Sequence, residues 1–179
     1  MSIKICTVYF EGKYTKDYVS KLYDGLKRHC TLPFEFICYS DTKDVKADTI
    51  IPIPEYTPIK QHWHKLSFFS PLFANQKPGD EIIVMDIDQI ILSNIDDIIG
   101  YPVNDNEMIS YEKWWGTTAP RLNGGFYKFK SGECKAVWDT YIKAPEDWQL
   151  SYFKRMIVHH KYFGDCLLYT SPSPRDEKV

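Results

Sequence analysis

The 179-residue sequence lacks the features that would place it in several large functional classes. It has no apolar run close to the roughly 18 residues that a membrane-spanning helix requires. Its 22 basic and 24 acidic residues are scattered and leave a net charge of −2, without the basic stripe that binds nucleic acid. It also contains neither a GxSxG motif nor a glycine-rich phosphate loop. We therefore expect no membrane span, no nucleic-acid partner, and none of the chemistry of those two motifs.

Cysteine usage and the N-terminal residues predict a cellular compartment. The five cysteines are odd in number and show no CxxC spacing, which favours reduced thiols over a disulfide framework or a zinc site. The chain opens directly into a strand-like apolar run at 3–10, without the basic and apolar regions of a signal peptide. These patterns predict a cytoplasmic protein with one main domain.

Apolar periodicity alternates between strand-like and helix-like segments along the chain. Six segments read as strands: 2–10, 34–39, 48–53, 81–92, 107–112 and 124–130. Five segments read as helices: 15–29, 63–73, 95–99, 133–142 and 147–158. This order predicts an α/β fold with a mainly parallel central sheet flanked by helices.

The segment 81–92 is an apolar run that carries two carboxylates, Asp86 and Asp88. Alternate side chains of a strand point the same way, so we expect both carboxylates on one face. Burying two like charges is costly unless a cation or a donor compensates them. Solvated acids at a strand end, or an alternating edge strand, are the two simpler explanations. The apolar flanks on both sides favour a central strand that carries a divalent metal site.

A second distinctive segment is Asn123-Gly124-Gly125. Glycines let a ligand approach the backbone closely, and an asparagine amide can both donate to and accept from sugar hydroxyls. Taken alone, the segment favours a bulged or tight entry into a strand. Its place about 35 residues after the acidic strand shifts the interpretation towards a ligand pocket.

Together these motifs resemble those of GT-A fold glycosyltransferases, and most closely the glycogenin-like family 8 type. The likeness covers about residues 2–165 and includes the Trp63-His64-Lys65-Leu66 segment and Phe163-Gly164-Asp165. It implies a GT-A, Rossmann-like fold. It also implies metal-dependent transfer of a hexose from a nucleotide-sugar donor, such as a UDP-hexose, to an acceptor that the sequence does not identify.

The resemblance also assigns expected roles to individual residues. Asp86 and Asp88 are expected to bind Mn²⁺ or Mg²⁺ that bridges the donor diphosphate. Asn123 and Asp165 are the expected catalytic residues, and Asp165 would orient a donor hydroxyl or stabilise the developing positive charge. For Lys65, a solvated helix lysine is an equally good reading of the sequence. The remaining expected donor-binding residues are Thr7, Tyr9, Asp41, Lys65, Ile87, Gly124 and Gly125.

The segment 166–179 breaks the alternating pattern. Its Ser-Pro repeat is typical of turns and linkers, and it resembles a translated sequencing-library adapter. We therefore expect a catalytic domain at 1–165 that is incomplete at its C-terminal end, and a non-native or disordered tail at 166–179. A natural flexible tail is the alternative. Cys166 stands where the family's Gly-Asp is normally followed by glutamine, so we expect this polypeptide to be an inactive fragment of an active enzyme.

Two other functions remain open at the level of sequence. A HAD-type phosphatase also uses a DxD motif after an apolar strand, but that motif usually lies on the first strand, and Asn-Gly-Gly has no role there. A catalytically inactive nucleotide-sugar-binding protein is the second alternative.

Overall fold

A computed structural model of the chain describes residues 2–112 and 122–151. It contains one six-stranded sheet with the spatial order β3-β2-β1-β4-β6-β5. The strands are β1 (Ile3–Tyr9), β2 (Phe34–Ser40), β3 (Thr49–Pro52), β4 (Glu81–Met85), β5 (Met108–Glu112) and β6 (Leu122–Lys130).

Four α-helical segments and two 3₁₀ helices accompany this sheet in the described residues. The α-helices are α1 (Asp17–His29), α2 (Asp96–Ile99) and α3 (Lys135–Tyr141), and residues 145–151 are also helical. The predicted helix at 63–73 is instead a 3₁₀ helix at Gln61–Phe69 followed by a second at Phe73–Asn75. Of the predicted helix at 147–158, the part after residue 151 lies outside the described residues. No helix of the described part is long and apolar enough to cross a membrane.

The strand directions confirm the predicted α/β fold with a mainly parallel sheet. β3, β2, β1 and β4 run parallel to one another, whereas β6 is antiparallel to both β4 and β5. The C-terminal ends of β1, β2 and β4 therefore meet the N-terminal end of β6 at one edge of the sheet. Ligands of open α/β sheets bind at this edge.

The core has two layers because successive strand side chains point to opposite faces of the sheet. On one face, Ile5, Ile83 and other strand residues pack against α1 and α2. On the other face, Cys6 and Val84 belong to a cluster that includes Trp63 and Leu66 of the 3₁₀ helix. Both faces are thus covered, as the continuous apolar sequence of these strands indicates.

The acidic strand is shorter than the predicted segment 81–92. β4 ends at Met85, and Ile87 and Asp88 form a turn. The carboxylates therefore follow the strand, and the prediction that strand alternation places both on one face is wrong. Ile90 and Leu92, which we expected to flank a central strand, are 81% and 82% exposed. β4 ends where its pairing with β6 ends, and the apolar residues of segment 81–92 do not show where that pairing stops.

A fully buried lysine joins β6 to α2. The Lys128 ammonium donates to the carbonyls of Ile99 and Tyr101 at 2.6 and 2.7 Å, and it lies 2.7 Å from the Glu81 carboxylate. Because the two carbonyls lie at the C-terminal end of α2, this cation also complements the negative end of the helix. Lys128 thereby ties the C-terminal end of α2 to the sheet.

Four of the cysteines lie in the described residues, and all four are free thiols. Cys6 and Cys38 are buried, and Cys30 and Cys134 are half-buried. Burial raises the pKa of Cys38 to about 12, so its thiol behaves as a small apolar group. Cys166 lies outside the described residues.

Candidate functional site

Asp86 is placed at the ligand-binding edge by the pairing of β4 with β6. Met85 is the last paired residue of β4 and lies opposite Phe126. The Asp86 N–H continues the pairing by one residue and donates to the Gly125 carbonyl at 2.9 Å. The acidic segment and the Asn-Gly-Gly segment, about 35 residues apart in sequence, thus lie side by side.

The 3₁₀ helix that carries Lys65 packs on the face of the sheet opposite α1, and Lys65 connects these two segments from that side. Its side chain is 5% exposed, and its ammonium lies 3.1 Å from Asp86 Oδ1 and donates to the Gly124 carbonyl at 2.8 Å. The 3₁₀ helix holds it there because its neighbours Trp63, Leu66 and Phe68 are buried in the core. Lys65 is therefore not a solvated helix lysine.

The Asn-Gly-Gly segment is closely packed around Gly125. The Gly125 N–H donates to Asn123 Oδ1 at 2.8 Å, and the Gln89 amide donates to the Gly125 carbonyl. A Cβ atom on Gly125 would lie 3.0 Å from Asn123 Oδ1, 3.2 Å from Gln89 Nε2 and 3.5 Å from Asp86 Oδ2. Neighbouring side chains therefore leave little room for a Cβ atom at this position, and the expected approach of a ligand to the backbone stays a prediction.

Gly125→Ala is expected to disturb the site more than the fold. The added methyl group must displace the side chain of Asn123 or Gln89 and crowds the Asp86 carboxylate, at a cost of about 1–3 kcal/mol in unfolding free energy. Chemical denaturation and Mn²⁺-dependent UDP binding would measure both effects. The double variant Asn123→Ala/Gly125→Ala should recover part of the lost stability because it removes the nearest clashing atom. Unchanged stability and unchanged binding in Gly125→Ala would contradict this steric account.

The expected nucleotide-binding residues lie around the same edge at different depths. Thr7 is fully buried, and its hydroxyl donates to the Met85 carbonyl at 2.8 Å, which supports the residue before Asp86. Tyr9 is also buried, and burial raises its pKa. Asp41 is exposed and accepts a hydrogen bond from the Glu11 N–H at 2.9 Å, joining the loops after β1 and β2. Ile87 is 8% exposed and packs in the α1-side core. The direct donor-binding roles of these four residues stay predictions.

His64 lies next to Lys65 but does not add a second cation. Its ring packs edge-on against Tyr39, with the ring centres 5.2 Å apart. Burial lowers the pKa of His64 to about 4, so the imidazole is neutral at pH 7. Of these two neighbours, Lys65 is therefore the one that contributes positive charge.

The structure also reveals a partner that sequence reasoning missed. The hydroxyl of Tyr14, in the connection between β1 and α1, donates to Asp88 Oδ2 at 2.6 Å. This hydrogen bond is the main reason why the pKa of Tyr14 is raised. The two residues are 74 positions apart, and no local pattern links them.

The chemical character of the carboxylates fits a hard divalent cation, which prefers oxygen ligands. Lys65 contacts Oδ1 of Asp86, and Tyr14 contacts Oδ2 of Asp88. Within residues 2–112 and 122–151, no group of three or more His, Cys, Asp or Glu side chains forms a complete metal site. The described residues thus provide two candidate ligands, and Asp165 lies outside them.

Comparison with known proteins identifies the fold. The chain matches no protein-family model and no curated protein. It is similar to the crystal structure of the apo-form glycosyltransferase GlyE of Streptococcus pneumoniae TIGR4, with a TM-score of 0.55 and 13% identity over 94% of this chain. A second crystal structure of GlyE gives a TM-score of 0.58 and 12% identity over 81% of this chain.

These alignments confirm the predicted GT-A, Rossmann-like architecture. At this level of identity the likeness concerns the fold. The chain spans 42% and 40% of the lengths of the two GlyE chains.

Proposed function

We propose that this chain forms the nucleotide-sugar-binding part of a metal-dependent glycosyltransferase of the glycogenin-like type. Its donor would be a UDP-hexose, and its acceptor is unidentified. The observation that carries the proposal is the buried Lys65 ammonium, which contacts both the Asp86 carboxylate and the Gly124 carbonyl. Acidic groups, a cation and a glycine-rich strand entry thereby meet at the ligand-binding edge of the sheet.

Asp86 and Asp88 would hold the Mn²⁺ or Mg²⁺ ion. When bound, the ion neutralises negative charge that develops on the departing nucleoside diphosphate. Lys65 holds the Asp86 carboxylate in place and adds a second positive charge beside it. Because the Lys65 side chain is already ordered and buried, it needs no costly reorganisation to do so.

The hexose would lie against the entry of β6. Gly124 and Gly125 leave room for close approach to the backbone, and the Asn123 amide can hydrogen-bond hydroxyl groups. Asn123 Oδ1 already accepts from the Gly125 N–H, so the asparagine is held in a defined orientation. Asp165 is proposed to orient the hexose or stabilise its developing positive charge.

One set of assays with the unsubstituted chain distinguishes the candidate functions. Hydrolysis of UDP-glucose or UDP-galactose that requires Mn²⁺ would support the glycosyltransferase. Hydrolysis of p-nitrophenyl phosphate would instead support a HAD-type phosphatase with Asp86 as its nucleophile. Mn²⁺-dependent binding of UDP without turnover would support an inactive nucleotide-sugar-binding fragment. Absence of UDP binding and of both activities would overturn the proposal.

A further inference from the structure

The two carboxylates of the proposed metal site are each held by one donor from a different face of the sheet. Lys65 holds Oδ1 of Asp86, and Tyr14 holds Oδ2 of Asp88. Neither of these two contacts uses the second oxygen of its carboxylate. Carboxylates that bind metals are commonly oriented by hydrogen bonds of this kind.

Asp88 depends on this contact more than Asp86 does. Asp86 is fixed by its backbone pairing with Gly125 as well as by Lys65. Asp88 is exposed and lies in the turn after β4, and the Tyr14 hydroxyl is the one donor that reaches its carboxylate in the described part of the chain. Without this bond the Asp88 side chain would be free to sample several rotamers.

Tyr14 is itself well anchored. Its ring is half-buried, packs against the apolar cluster on the α1 side of the sheet, and lies 4.8 Å from the ring of Tyr18. The Lys13 ammonium lies 4.6 Å from the centre of the Tyr14 ring. A nearby cation strengthens a phenol as a hydrogen-bond donor, and the 2.6 Å distance to Asp88 is typical of a strong bond to a charged acceptor.

We propose that Tyr14 is a positioning residue that orients Asp88 for binding of the divalent cation. This inference rests on the proposed function, because it assigns Tyr14 a role towards the metal of that same site. Tyr14 thereby links the loop after β1 to the loop after β4. Loss of its hydroxyl should weaken cation binding while leaving the ring and its packing in place.

The experiment compares Tyr14→Phe with Tyr23→Phe. Tyr23 is a matched control because it is also half-buried, and its hydroxyl donates to Asp48 at 2.7 Å, away from the ligand-binding edge. Both variants lose one hydrogen bond between a phenol and a carboxylate. Mn²⁺ would be titrated into the full chain in the presence of UDP, and free Mn²⁺ would be measured by electron paramagnetic resonance.

We expect the dissociation constant for Mn²⁺ to rise about 10- to 100-fold in Tyr14→Phe and to stay within about twofold in Tyr23→Phe. Unchanged or tighter Mn²⁺ binding in Tyr14→Phe would overturn the inference, as would an equal loss in Tyr23→Phe. Absence of Mn²⁺ binding by the unsubstituted chain would instead overturn the metal site of the proposed function, and the inference with it. The two failures are therefore distinguishable.

Discussion

Any Mn²⁺-dependent turnover of UDP-hexose by the chain is expected to fall about a thousandfold in Asp88→Asn. A bound metal ion contributes several kcal/mol of charge stabilisation in the transition state, and about 4 kcal/mol corresponds to a thousandfold change in rate. Asparagine keeps the size of the side chain and can still accept from Tyr14, but it provides no negative charge for the cation. The measurement is release of UDP as a function of Mn²⁺ concentration.

Asp88→Asn is expected to affect turnover without affecting the stability of the fold. Asp88 is exposed, so Asp88→Asn should change the free energy of unfolding by no more than about 0.5 kcal/mol. Asp105→Asn is the matched control, because Asp105 is an exposed carboxylate whose partner is Lys130 rather than a residue of the site. Full turnover with an unchanged Mn²⁺ dependence in Asp88→Asn would contradict the proposed metal site.

Lys128→Met is expected to be the most destabilising of these changes, by about 3–5 kcal/mol. Methionine fills a similar volume, but it leaves the Glu81 carboxylate and the carbonyls of Ile99 and Tyr101 without their cation. The Glu81 side chain is 17% exposed, so water compensates for little of this loss. Urea denaturation would measure the change, which corresponds to a fall of about 10 °C or more in Tm.

The control for this prediction lies in the same strand. Lys130 pairs with Asp105, whose side chain is 71% exposed, so Lys130→Met should cost no more than about 1 kcal/mol. The double variant Glu81→Leu/Lys128→Met should recover part of the stability, because it removes the buried carboxylate as well. Equal losses in Lys128→Met and Lys130→Met would show that the buried ion pair is not the source of the effect.

Strand positions were predictable from the sequence where a run of apolar residues is buried on both faces of the sheet. β1, β2 and β4 all begin within a residue or so of their predicted starts, because the apolar residues themselves create the core. The end of β4 was not predictable in the same way. It depends on where the pairing with β6 stops, opposite Phe126, and Phe126 lies 41 residues after Met85 in the chain.

The burial of Lys65 and Lys128 could not be predicted from the sequence either. Lysine is usually exposed, and neither residue differs from a surface lysine in its local sequence. Lys65 is buried because the 3₁₀ helix packs against the sheet, and Lys128 because α2 covers β6. Only the packed structure provides the acceptors that make burial of these charges possible.

By itself, the sequence determined the alternating order of strands and helices, and it singled out Asp86, Asp88 and the Asn-Gly-Gly segment as unusual within that order. These properties depend on residue type and on the period of neighbouring side chains, which the sequence contains in full. The tertiary structure decided that β6 runs antiparallel to β4 and therefore brings Gly124 and Gly125 beside Asp86. It also decided that Lys65 and Tyr14 hold the two carboxylates, because contacts between residues 21 and 74 positions apart form only when the chain is packed.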